Sequence, residues 1–224
     1  MKRDMPWWTG AAALGWFVAL VTQTFLNKLS DVDVSEPTPA TSYLRAIAAN
    51  RAAFTGEAAI GAVTCVLALV TLVGIVLALK DGPLLEGAAV GGVLFFAGAL
   101  ILLVSFAMYG NLVGTAMEYV QGSYASTSVL VQQGDMQGDQ FLIIYFLGQV
   151  TLALGIGALS LMLVKAGVMG TVFAVIAVLL VPLSLLMYHL ASAFMLARLA
   201  WLGLLAAHSF SGPERMPAMA EVEI

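Results

Sequence analysis

The feature that most limits what this chain can become is a succession of apolar runs about as long as a bilayer is thick. Runs from Trp7 to Asn27, Glu57 to Leu79, Pro83 to Tyr109 and Phe141 to Val164 each approach or exceed the roughly 20 residues that a helical crossing requires. Apolar residues make up 61% of the 224 positions and charged residues only 10%, against about 25% charged in an ordinary water-soluble domain. A soluble fold of this size could not cover that much apolar surface. The expected fold is an all-α integral membrane helical bundle, a single domain of about six transmembrane helices.

Charge and turn residues set the expected boundaries. Lys2 and Arg3 precede the first run, and Trp7 and Trp8 stand at its start as interface anchors, which favours a cytoplasmic N-terminus. No small-x-small cleavage site follows, so the first run reads as an uncleaved span rather than a signal peptide. The segment 28–56 holds Asp31, Asp33, Glu36, Pro37 and Pro39. It then enters a stretch in which Tyr43, Leu44, Ile47 and Phe54 recur near a helical period. That pattern predicts a short amphipathic helix on the outer membrane surface. Lys80-Asp81-Gly82-Pro83 predicts a tight turn, and Lys165-Ala166-Gly167 a helix end and turn. Residues 110–140 contain Glu118, Asp135 and Asp139 but no Lys or Arg, as expected of a translocated loop. The tail 211–224 is expected to be disordered.

The run from Met169 to Phe210 has no obvious loop. One helix of that length would extend about 63 Å, twice a hydrocarbon core. Pro182 and Ser184 mark the expected break, giving a fifth span over 168–181 and a sixth over 183–209. Five spans result if the run is instead one long helix kinked at Pro182.

Arg198 is the costliest residue in these runs, since an arginine inside a span costs about 2.5 to 3.5 kcal/mol on insertion scales. On a helical wheel Ser184, Tyr188, Ser192, Met195, Arg198 and Ser209 share one stripe, which should face protein or water. Two readings stand. The stripe is an anion or polar-substrate site formed by Arg198, Tyr188, Ser192 and Ser184, or Arg198 is structural, paired with a carboxylate or snorkelling to the headgroups. Glu86, one turn inside the third span, is the expected ion-pair partner of Arg198. Glu57 takes the plainer explanation of an acidic residue favoured near a helix start, and either carboxylate could serve a proton-coupled transporter.

Other chemistries find little footing. His189 and His208, the only histidines, lie roughly 28 Å apart on one predicted helix and cannot share a metal. The single cysteine, Cys65, excludes an intramolecular disulfide or CxxC pair and reads as a small packing residue. There is no GxSxG, HExxH or Walker motif, and no cofactor or metal is expected. A net charge of −4 offers no basic field for nucleic acid. Gln23, Asn27, Gln149, Thr151 and Ser160 read as interhelical hydrogen-bond formers, and Gly87 with Gly91 and Gly110 with Gly114 as small-xxx-small contacts.

The plan resembles that of a widespread group of small six-span bacterial membrane proteins of an uncharacterised family. The resemblance is carried by Asn50-Arg51-Ala52-Ala53-Phe54 leading into the second span, the tight turn, the long external segment, and Tyr145-Phe146-Leu147-Gly148 running to Val164-Lys165-Ala166-Gly167. It implies a fold and no activity. The expected role is a non-catalytic, multi-pass component of the cell membrane whose partners are the lipid bilayer and further copies or other membrane subunits. A small transporter or channel built around Arg198 is the alternative, and a membrane-bound redox or lipid enzyme comes third.

Overall fold

The computed structural model describes residues 5–30, 40–80, 84–122, 127–187 and 189–211. These residues are helical throughout, with no strand among them: α1 (Trp7–Ser30), α2 (Ala40–Ala49), α3 (Arg51–Leu79), α4 (Leu85–Gln121), α5 (Thr127–Lys165), α6 (Thr171–Leu185) and α7 (Ala191–Phe210). Among them α1, α3, α4, α5 and α7 are long and apolar enough to cross a membrane. α6, with 15 residues, is about 22 Å long, short of the roughly 30 Å hydrocarbon layer. Helix is the conformation that apolar runs of this length must take in lipid, where each backbone N–H needs a partner within its own segment.

The outward faces are apolar. Val63, Val66, Val70, Val73 and Leu77 form one exposed stripe along α3, and Val90, Val93, Leu100 and Val104 another along α4. Steps of three, four or seven residues keep each set on one side of its helix. A water-soluble protein seldom exposes more than a few hundred Å² of contiguous apolar surface; here such stripes run much of the length of the helices. The chain is an all-helical membrane bundle.

Contacts divide the chain into two compact units. One comprises Met1–Phe17, Leu67–Phe95 and Ala153–Ile224, and the other Val18–Val66 and Phe96–Leu152. In the second unit the structure departs from the expected loop over 110–140, because α4 continues to Gln121 and α5 begins at Thr127. Leu112, Val113 and Ala116 extend the helical apolar period beyond Tyr109 and are buried with Phe141. That buried face outweighs the loop-like charge pattern of the segment. The amphipathic helix is present as α2, but its apolar face meets protein: Leu44 and Ile47 are fully buried against this same cluster. Gly134 lets Leu44 approach, its side chain lying 2.9 Å from where a Cβ at 134 would stand.

In the first unit, α5 ends as the sequence predicts. Gly167 has φ of 71°, and the N–H groups of Val168 and Gly167 donate to the carbonyls of Leu163 and Val164, both at 2.9 Å. This is a Schellman end, which favours glycine at the left-handed position. The break in the final apolar run falls later than expected. Pro182 lies inside α6, which runs to Leu185, and α7 begins at Ala191. Proline removes the N–H that would reach back to Val178, yet its own carbonyl still accepts the Leu186 N–H at 3.2 Å, so the helix runs on for another turn. α6 then packs along α7, with Phe173 stacked on Trp201. Ser184 and Arg198 therefore belong to two helices, and a single helical wheel does not relate them. The 81–83 turn, the acidic part of segment 28–56 over 31–39, Tyr188 and the tail from 212 onward lie outside the described residues.

Glycine sets the approach of α4 and α5. In the first unit a Cβ at Gly155 would strike the Phe95 backbone, and one at Gly91 would meet the Leu159 side chain at 3.0 Å. Gly87 faces Met162 in the same way, whereas Gly110 and Gly114 have nothing within 4 Å. The first small-xxx-small pair is thus a packing contact and the second is not. Gly155→Ala is expected to lower stability by about 1–3 kcal/mol through overpacking, while Gly114→Ala should be neutral or stabilising by up to about 1 kcal/mol. Thermal unfolding of the two variants in the same detergent checks the contrast.

Candidate functional site

Two charged side chains are buried among the described residues, and each lies in an aromatic cluster of its own unit. In the first unit Arg198 is 5% exposed, projecting from the middle of α7. Its guanidinium carbon stands 5.1 Å from the centroid of the Trp16 ring. Trp16 in turn meets the edges of Phe95 and Trp201 at centroid distances of 5.9 and 6.2 Å. Trp201 donates its Nε1 hydrogen to Ser160 Oγ at 2.9 Å and stacks on Phe173 at 5.5 Å. A desolvated cation over an indole face gains about 2 kcal/mol or more, and each aromatic pair adds about 0.5–1.5 kcal/mol. The sequence places these residues by period: Phe194, Arg198, Trp201, Leu202 and Leu205 follow helical spacing and form the buried face of α7.

The predicted polar stripe does not assemble as a whole. Ser184 is buried, but its hydroxyl donates to the Val181 carbonyl of its own helix at 2.7 Å. Ser192 is exposed, and Tyr188 lies outside the described residues. Glu86 stands exposed in the first turn of α4, whereas the Arg198 guanidinium is buried over the Trp16 ring. His189 and His208 are exposed at opposite ends of α7, and no group of three potential metal ligands forms among the described residues. Of the predicted interhelical polar residues, Ser160 accepts from Trp201, whereas Thr151 bonds back to the Leu147 carbonyl of its own helix.

The second cluster centres on Glu57, which sequence reasoning passed over as an ordinary helix-start acid. It is 8% exposed, the one buried carboxylate among the described residues. The Tyr109 hydroxyl on α4 donates to its Oε2 at 3.1 Å. Tyr109 stacks on Phe141 at 4.7 Å and lies 5.6 Å from Phe54. The ring series continues through Tyr145 to Phe106. Tyr43, on α2, is half-buried and close enough to feel the Glu57 charge. The signal available in the sequence was the density of aromatic residues at helical spacing on three segments, opposite the only acidic residue within the apolar run of α3.

These geometries make two expectations. Trp16→Leu strips the ring face from a buried cation and should cost about 3 kcal/mol or more, whereas Arg198→Met exchanges a buried charge for an apolar chain and should cost less than about 1.5 kcal/mol. The double variant should lose less than the sum, measured by unfolding of all four proteins. In the second cluster, burial and then the Glu57 carboxylate hold the Tyr43 hydroxyl above its ordinary value of 10.0. The fold therefore favours the neutral phenol. That contribution is fully present below the unfolded value and is lost as pH rises through the raised one. Chemical unfolding at about pH 9 and about pH 11 should show a smaller alkaline loss in Tyr43→Phe than in the parent.

No family model, curated protein or solved structure matches the chain.

Proposed function

We propose that the chain is a non-catalytic component of a membrane, N-terminus cytoplasmic, that works by packing its helices against further copies or against other membrane subunits. The observation that supports this reading is the enclosure of Arg198. The residue with the strongest claim to a polar transport path lies on Trp16 within a ring cluster of its own unit. The glycine-mediated approach of α4 and α5 is of the same kind, since van der Waals contact between small residues is the means by which membrane helices associate. On this reading the chain is one of the small six-span bacterial membrane proteins that its layout resembles.

Passage of a polar solute along α7 is the second reading, and one observation favours it. Trp16 Nε1 is buried and has no hydrogen-bond partner among the described residues, which leaves a donor on the very ring that Arg198 covers.

Native mass spectrometry of protein released from its own membrane in mild detergent tests the first reading, paired with crosslinking before solubilisation. The expected result is a fixed stoichiometry with itself or with a second polypeptide in both measurements. A lone monomer in both contradicts it.

A further inference from the structure

Glu57 presents a chemical problem that the packing around it does not solve. A buried carboxyl group stays ionised only with a compensating charge or several hydrogen bonds, because desolvation costs several kcal/mol per ion. Among the described side chains its hydrogen-bond partner is Tyr109 alone, through Oε2, and the described cations of the same unit that stand near it in sequence, Arg45 and Arg51, are exposed. The rings of Phe54, Tyr109 and Phe141 fill the surroundings. Ring faces carry negative electrostatic potential, which disfavours an anion and favours a cation. Oxygen acceptors come from three helices: the Glu57 carboxylate on α3, the Tyr109 hydroxyl on α4 and the Tyr43 hydroxyl on α2.

We propose that Glu57, Tyr109 and Tyr43 bind a primary organic ammonium group. A carboxylate bonded by one phenol, with a second phenol packed against the same cluster, matches a group that donates several N–H hydrogens, while the rings suit the carbon attached to it. Leu44, Ile47 and Phe54 are fully buried, whereas Tyr43 is half-buried and Glu57 keeps 8% of its surface, an exposure that suits a small head. Depth agrees with this. Glu57 lies within two turns of Arg51, the polar start of a helix of 29 residues that is about 44 Å long and so exceeds the hydrocarbon layer by roughly 14 Å. That is the level of lipid headgroups. Such an ammonium is carried by an ethanolamine phospholipid or by a free small amine.

The two sources separate in nanodiscs. Full-length protein is reconstituted in phosphatidylcholine, in phosphatidylcholine with phosphatidylethanolamine, and in phosphatidylcholine with ethylammonium chloride, against sodium and tetramethylammonium chloride at equal ionic strength. The unfolding midpoint is expected to rise saturably by about 3 to 6 °C at ten times the dissociation constant. A rise with the phospholipid alone assigns the headgroup, and a rise with ethylammonium assigns the free amine; either supports the site. Glu57→Gln should abolish the rise, and Tyr109→Phe should weaken binding about tenfold, as for one charge-assisted hydrogen bond lost. Should Glu57→Gln fail to fold, Glu57→Asp takes its place, with binding at least about tenfold weaker. No rise in any ammonium arm, an equal rise with tetramethylammonium, or an undiminished rise in the Glu57 variant overturns the proposal.

Discussion

Lipid chains are as apolar as leucine, so the hydrophobic effect that gathers a soluble core gives membrane helices little reason to associate. Close contact has to hold this protein together, and its sequence supplies contact in two forms. Glycines at 87, 91 and 155 bring α4 against α5 closely enough that a methyl group at 155 would meet the Phe95 backbone. Aromatic rings then fill what the glycines leave open. Trp16, Phe95, Trp201 and Phe173 form one contiguous set, and Phe54, Tyr109, Phe141, Tyr145 and Phe106 another. Valines at 63, 66, 70, 73, 90, 93 and 104 are left on the lipid side.

Each aromatic set encloses one charge, and the two charges have opposite signs. The guanidinium of Arg198 is compatible with its surroundings, because an indole face is an electrostatic partner for a cation. The carboxylate of Glu57 is not, because the same kind of ring surface offers it nothing beyond the Tyr109 hydroxyl. This asymmetry separates the two residues: Arg198 lies against a ring face that favours its charge, and Glu57 has the Tyr109 hydroxyl as its hydrogen-bond donor among the described side chains.

Long-range features of the fold were legible where a single physical signal dominated. The apolar runs predict the spanning helices, and Lys165-Ala166-Gly167 predicts the end of α5, because a glycine in the left-handed region has few substitutes. The reading failed where two signals competed. Acidic residues without Lys or Arg over 110–140 argue for a loop, but Leu112, Val113 and Ala116 on the same segment bury a face that only a helix can present. Pro182 argues for a break at its own position, whereas its steric and hydrogen-bonding effect falls on the turn before it and spares the turn after. The candidate sites followed the same rule. Arg198 stood out by its cost alone, but Glu57 needed Tyr43, Tyr109 and Phe141, residues up to 98 positions apart in the chain, and only the tertiary structure brings those together.

The central claim is that the valine and leucine stripes face lipid while the aromatic clusters face protein. Photolabelling in nanodiscs with a diazirine-bearing lipid, read residue by residue by mass spectrometry, tests it most directly. Labels are predicted on Val66, Val70 and Val73 of α3 and on Val90, Val93 and Val104 of α4, with none on Phe95, Trp16 or Trp201. Labels concentrated on the aromatic clusters, or labelling of the valine stripes by a water-soluble reagent instead, would contradict the account.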